Sequence, residues 1–304
     1  MINTDKKKRV MEKAIKNRAR KEKSVEIVLL ICALVSVISV LFISVFIFGE
    51  GLPLFKAVSV GDFLFGTDWA PSNEENPRYG ILPFIVGSIY ITLGALLLAV
   101  PIGIMTAVFM AEIADKRAVE VMRSVVQLLA GIPSVIYGFF GVIVISKLIR
   151  ETFGGTGYSV LSGAIILAIM VLPTIINITE VTITSLPKSI KEGSLALGGT
   201  RWQTIFKVQL PAAKSGIIAG VVLAMGRALG ETMAVLMVAG NAPIMPTGPL
   251  SKVRTLTMNI VTDMGYASGD HRTALFTTSI VLFLFILILN LSVNIIKGNP
   301  EEIA

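Results

Sequence analysis

The chain has 304 residues, of which 54% are hydrophobic and only 15% charged, with a mean hydropathy of +0.79 and a formal net charge of +7. That composition excludes an ordinary soluble domain, which carries about a quarter charged residues. The charge is not spread as a nucleic-acid footprint would be: residues 1–25 hold ten Lys/Arg and three Asp/Glu, which is the whole excess.

The basic segment, residues 1–25, reads as a cytoplasmic tail held by an anionic membrane surface. Val10, Met11, Ala14 and Ile15 are spaced for one helical face that could rest on headgroups, with a nucleic-acid tail as the alternative. Residues 27–48 then run for 22 positions without a charge, too long for the core of a signal peptide and with no small-x-small site after them. They read as a retained signal anchor. The single cysteine, Cys32, lies inside that run and can form no internal disulfide.

Five more apolar runs follow. Residues 81–111, 124–146, 158–179 and 273–296 carry no charge, and residues 215–240 carry only Arg227 and Glu231. A helix rises about 1.5 Å per residue, so about 20 residues cross a hydrocarbon core of about 30 Å. The pattern predicts an all-α, polytopic membrane protein. Its domain, residues 26–299, holds six transmembrane helices over about 27–48, 81–111, 122–147, 158–183, 214–240 and 273–296. Lys and Arg favour the cytoplasmic side of a membrane. With the N-terminus inside, cytoplasmic segments collect nineteen of them and external segments seven, with Arg227 in the membrane, so both termini are expected in the cytoplasm.

The external segments 49–78 and 241–271 are rich in Gly, Pro and acids, and read as ordered loops suited to docking a partner or as plain connectors. His271, the only histidine, is expected on the surface. No His/Cys/Asp/Glu cluster has metal spacing, no nucleophile elbow appears, and no phosphate loop is present, so any ATP is bound by another chain and no cofactor or catalytic residue is assigned here. Pro101, Pro133 and Pro173 interrupt the spans, and Gly87, Gly94, Gly131, Gly163 and Gly220 permit close helix approach.

The inward loop, residues 186–213, is the most informative segment. Ser189 and Glu192 have capping-box spacing, and Leu195, Ala196 and Leu197 continue a short helix. Gly198-Gly199 would end it, Thr200 and Gln203 form a second capping box, and Pro211 marks a bend before the fifth span. Helix, glycine turn, helix suits a groove on another protein, or equally an amphipathic loop resting on headgroups. Within the fifth span Arg227 and Glu231 are four apart and share a helical face. A charge there costs about 2.5–3.5 kcal/mol. Two readings stay open: a mutual salt bridge that locks the fold, or an anion path in which Arg227 offers its planar fork while Glu231 orients it or pairs elsewhere.

The spacing of Glu192, Gly198 and Leu210-Pro211 resembles the cytoplasmic "EAA" loop of binding-protein-dependent ABC importer permeases, with Gly193 and Ser194 where that family often has alanines. Gly226-Arg-Ala-Leu-Gly-Glu-Thr-Met-Ala-Val235 followed by Ala239-Gly-Asn241 is similar to the PstC-type permease of the bacterial high-affinity phosphate importer. Trp69-Ala-Pro71, Gly131-Ile-Pro-Ser134 and Leu172-Pro173 agree. The resemblance runs from about residue 25 to the C-terminus and implies a type I importer permease (MetI-like) fold. It implies phosphate import, with Arg227 and Glu231 on the substrate path and Glu192, Leu195, Ala196 and Gly198 contacting an ATPase. It also implies companions: a PstA-type second permease, two PstB-type ATP-binding subunits, a PstS-type extracytoplasmic phosphate-binding protein and membrane lipid, with no nucleic acid. The same machine for sulfate, tungstate or molybdate, and a stand-alone carrier using Arg227 and Glu231 as an ion relay, are the alternatives.

Overall fold

The structure, a computed structural model, describes residues 2–73 and 75–296, with side chains described over 22–73 and 75–292. The side chains of Val10, Met11, Ala14 and Ile15, and Lys297 with the residues after it, lie outside that description.

The chain divides into two units. The first, ending at Glu50, is one helix, α1 (Ile2–Gly51), whose large apolar side chains from Val25 to Phe46 are exposed. Uninterrupted helix is what an uncharged run of this length demands in lipid, where each backbone N–H and C=O must be satisfied within the segment.

The second unit begins at Gly51. Residues expected as loop fold into a 3-10 turn (Leu52–Lys56), α2 (Val60–Phe65) and a hairpin of β1 (Trp69–Ala70) and β2 (Arg78–Tyr79). Then come α3 (Leu82–Val108), α4 (Lys116–Gly131), α5 (Ser134–Phe140), α6 (Lys147–Phe153) and α7 (Val160–Thr184). The inward loop forms α8 (Lys188–Ala196), α9 (Arg201–Thr204) and α10 (Leu210–Ala212). The chain closes with α11 (Lys214–Gly230), α12 (Met233–Val238), α13 (Leu256–Asp263) and α14 (Gly269–Ile296). Among the described residues four helices are long and apolar enough to cross a membrane unbroken, and two bent pairs bring the number to six if each is one span. One pair, 116–131 with 134–153, bends by 95° at Pro133; the other, 201–212 with 214–230, bends by 67° just after Pro211. At the first, Pro133 removes a donor and leaves Ile132 before it extended (φ −69°, ψ 128°); at the second, Leu210 before Pro211 stays helical and the bend falls at Ala213 (φ −85°, ψ −2°), while α3 and α7 run through Pro101 and Pro173 without the expected interruption.

The core is the crossing of α3 with α7, joined by α11 and α12. Ile91, Ala95 and Ala99 pack with Leu167, Val171 and Ile175, and with Ala224, Ala228 and Val235. Lipid tails are as apolar as leucine, so this packing depends on close fit rather than on escape from water. Small residues permit it: a Cβ on Gly103 would stand 2.7 Å from Ile175 Cγ2. Gly131, expected at such a contact, has nothing within 4 Å of where its Cβ would lie, because the chain turns away at Pro133.

Candidate functional site

The 27 residues of α3 separate two ends of the second unit: the hairpin end, where it begins, and the loop end, where it passes into a π-helical turn, Phe109–Ile113.

At the loop end the first capping expectation fails. α8 starts at Lys188 behind Pro187, without a side-chain cap, so Ser189 and Glu192 form no capping box. Proline at N-cap has already set the entry turn and moved the start two residues earlier. The rest of the pattern is present. Gly198 takes φ 84°, with Gly198 N–H donating to Leu195 C=O and Gly199 N–H to Ser194 C=O, which ends α8. Thr200 and Gln203 make the reciprocal box that opens α9. The next turn is π-helical, Ile205–Gln209, before the bend beyond Pro211. Ile205 and Ala213 are buried against Val108 and Ile183. Glu192, Leu195, Ala196 and Gly198 are all exposed, as is Leu197, a leucine 92% exposed at the tip. A shallow cleft between Ile190, Ser194, Leu197 and Lys207 adjoins them. One hydroxyl pair, Ser194 Oγ and Thr204 Oγ1 at 2.9 Å, holds α8 to α9.

Two carboxylates buried at this end give no sign of their role in the sequence. Glu112, in the π turn and 8% exposed at its side chain, accepts from Lys191 Nζ at 2.5 Å and Gln209 Nε2 at 2.8 Å, and its carbonyl accepts from Arg201. Glu180 of α7, 7% exposed, accepts from Arg123 of α4 at 2.6 Å. By pattern alone each is a charge that marks the end of an apolar run.

In the fifth span the expected shared face of Arg227 and Glu231 is overturned. α11 stops at Gly230, Glu231 is extended (φ −70°, ψ 131°), and α12 starts at Met233. The Glu231 carboxylate turns onward and accepts the backbone N–H of Ala234 at 3.1 Å, while its carbonyl accepts the Thr257 hydroxyl at 3.1 Å. Each freed backbone group at a broken span needs such a partner. Among the described residues Arg227 makes no ion pair or hydrogen bond with any side chain, and it is exposed. Leu223 and Gly230, one turn away on either side, are exposed too, and neither Gly226 nor Gly230 has an atom within 4 Å of where a Cβ would stand. The arrangement is a free guanidinium on a smooth, glycine-flanked stripe beside a helix break. Tyr137 braces the neighbouring bend, its hydroxyl donating to Leu129 C=O at 2.7 Å.

At the hairpin end, His271 is buried rather than on the surface. It packs edge-on to Trp69 and Tyr266, with Nε2 3.4 Å from Asp263 Oδ2. Asp263 accepts from Trp69 Nε1 at 3.0 Å, Arg254 NH1 at 3.2 Å and the Tyr266 hydroxyl at 2.7 Å, while His271 Nε2 makes no hydrogen bond among the described residues. The hydrogen bond to Asp263, with burial and that carboxylate's charge adding to it, raises the Tyr266 phenol above its ordinary range. One carboxylate thus ties residues 49–78 to residues 241–271. Among the described residues no group of three or more His, Cys, Asp or Glu could hold a metal ion.

Residues 99–299 match the family described as "Binding-protein-dependent transport system inner membrane component". The chain is 42% identical over 302 residues to the probable ABC transporter permease protein YqgH of Bacillus subtilis (strain 168), covering 95% of this chain and 97% of that one. It is 34% identical over 242 residues to the phosphate transport system permease protein PstC of Pasteurella multocida (strain Pm70), covering 73% and 75%. A solved structure of a bacterial ABC transporter involved in import of the acidic polysaccharide alginate covers 91% of this chain and 98% of its own, with a TM-score of 0.60 at 17% identity. An inward-facing MetNI methionine ABC transporter covers 69% and 91%, with a TM-score of 0.56 at 19% identity. These two likenesses speak for the fold alone, the mostly helical MetI-like permease fold. With the broken spans, the exposed loop and the family match together, the chain belongs to the binding-protein-dependent inner membrane components and is a multi-pass permease subunit of an ABC importer.

Proposed function

We propose that this chain is the PstC-type permease of an ATP-driven importer of inorganic phosphate, forming half of the translocation pore. The observation that carries the reading is Arg227: an exposed guanidinium, without an ionic or hydrogen-bonding side-chain partner among the described residues, on a glycine-flanked stripe beside a break in a spanning segment. A charge held in a membrane segment without a partner is costly unless it faces a water-filled path or a ligand. A planar fork of N–H donors suits an oxyanion. The phosphate transport names of several relatives support the choice of anion.

The companions follow from the class. A PstA-type permease would face the Arg227 stripe, and two PstB-type ATPases would grip the exposed tips of α8 through Leu195, Ala196 and Gly198, with Glu192 on the rim. A PstS-type binding protein would deliver phosphate at the hairpin end. The Lys/Arg bias puts the loop end and both termini in the cytoplasm. The chain does no bond chemistry; ATP hydrolysis belongs to the companion subunit. Closure of that ATPase dimer would draw the two loops together and open the pore outward, and phosphate would then pass Arg227. Uptake of labelled phosphate by the reconstituted complex, competed with sulfate and molybdate, tests the cargo. Unlabelled phosphate alone should compete; equal competition by sulfate or molybdate would reassign the anion. Arg227→Ala should assemble with its companions and lower uptake at least about tenfold, since alanine offers the anion no charge-assisted hydrogen bond. Normal uptake by that variant would make Arg227 structural.

A further inference from the structure

We infer that Glu112 is the positioning residue that fixes the angle of the inward loop on the second span, so that a displacement of the loop becomes a displacement of α3. The inference rests on the proposed function only in supposing that a companion ATPase displaces the loop.

The loop is held to the bundle in two ways. Ile205 and Ala213 pack against Val108 and Ile183, an apolar contact that is non-directional and tolerates sliding. The second attachment is polar and converges on one residue. α8 reaches Glu112 through Lys191, α9 through Arg201, and the π-helical segment through Gln209. Three elements separated by a glycine turn and by a change of helix type therefore share a single anchor, Glu112 in the π turn that continues α3. Lys191 and Gln209 bond to the buried carboxylate, and such bonds are short and set direction as well as distance, while Arg201 bonds to the Glu112 backbone carbonyl. The orientation of Glu112 is built in: Ala114 N–H donates to Phe109 C=O, five residues back, and this π turn inserts one residue into the α register. One residue is about 100° of rotation; α register throughout would turn the carboxylate away from the loop. Gln209 is committed to the arrangement, since its Oε1 is buried with no partner while its Nε2 serves Glu112. Beyond the anchor, α3 packs along α7 and reaches the hairpin end, where Ser88 on α3 accepts from Leu256 N–H at 3.0 Å. α3 is thus a continuous packed helix between the loop end and the hairpin end, the kind of element that can carry a displacement.

The test uses the complete reconstituted transporter, with two readouts. The first is phosphate moved per ATP hydrolysed. The second, which does not depend on the cargo, is the distance distribution between spin labels at Leu97→Cys on α3 and Leu197→Cys at the loop tip, in a Cys32→Ala background; both leucines are exposed. Glu112→Ala should lower the phosphate-to-ATP ratio about fivefold or more while hydrolysis continues, and should broaden the label distribution. Exchanging the pair, Glu112→Lys with Lys191→Glu, should bring both readouts back to within about twofold, because the free Gln209 Oε1 can then accept from the new lysine. Where Glu112→Ala does not assemble, Lys191→Ala carries the same expectations, since that side chain is 42% exposed and its removal costs no core packing. A ratio within about twofold of wild type together with an unbroadened distribution overturns the inference. A wild-type complex that moves no phosphate refutes the cargo reading instead, and the label distribution then decides this one.

Discussion

Asp263 is the most consequential side chain at the hairpin end. Replacing it with alanine removes the acceptor of Trp69 Nε1, the Tyr266 hydroxyl and Arg254, and leaves the last, 13% exposed, without its counter-ion. Breaking a buried pair by deleting one partner costs about 3–5 kcal/mol. The residual exposure of Arg254, and its second bond to Asn259 Oδ1 at 3.0 Å, put this case near the low end, about 3 kcal/mol. The effect is local, because Trp69 and the hairpin hang on this carboxylate while the α3–α7 crossing does not. Native-state hydrogen exchange reads such openings. The reporters are the Gly80 amide, bonded to Asp68 C=O, and the Ile81 amide, bonded to Phe63 C=O. Their exchange should quicken about a hundredfold in Asp263→Ala, with amides of the α3–α7 crossing unchanged. Asp263→Asn keeps one acceptor oxygen and should cost about 1–2 kcal/mol. Exchange of Gly80 and Ile81 within about threefold of wild type in the alanine variant would refute the reasoning that one carboxylate clamps the two outer segments.

Two further outcomes are expected. Gly103→Val forces a branched side chain into a site where even a Cβ meets Ile175 Cγ2 at 2.7 Å; overpacking should cost about 1–3 kcal/mol and lower the melting temperature in detergent, whereas Gly131→Ala, with open surroundings, should be neutral or slightly stabilising. Equal melting of the two variants would contradict the packing description. The raised phenol of Tyr266 makes stability at the hairpin end depend on alkaline pH. Below about pH 10 both folded and unfolded chains hold the proton and the contribution is complete; above it the unfolded tyrosine ionises first, and stability falls until the folded phenol also ionises. Tyr266→Phe should flatten that alkaline decline of amide protection near residue 263, and an unchanged slope would remove Tyr266 as its cause.

Much of the architecture is legible because lipid imposes a simple rule: uncharged runs of this length become helices; of the three prolines expected to interrupt the spans only Pro133 does so, while α3 and α7 run through Pro101 and Pro173. What the sequence does not disclose is which polar group each buried charge meets. Gly230-Glu231-Thr232 contains no proline, so the pattern reads as continuous helix, and only the bonds from Ala234 and Thr257 to Glu231 reveal the break. Thr200 caps its helix as its spacing predicts, while Ser189 does not, because Pro187, two residues earlier, takes the N-cap position. α13 reads as loop in the sequence, being short and flanked by glycines and prolines. Glu112 and His271 are hidden for a related reason: a lone acid beyond an apolar run and a lone histidine in a polar loop look solvated until the fold closes around them.

The central claim is that nucleotide hydrolysis by a companion, acting on the exposed tip of α8, drives an anion past Arg227. It is tested most directly by proteoliposomes containing the assembled complex, its binding protein outside and nucleotide supplied at the loop face. Labelled phosphate should accumulate with ATP and stop when a non-hydrolysable analogue replaces it. Accumulation that continues at the same rate without hydrolysis would contradict the account.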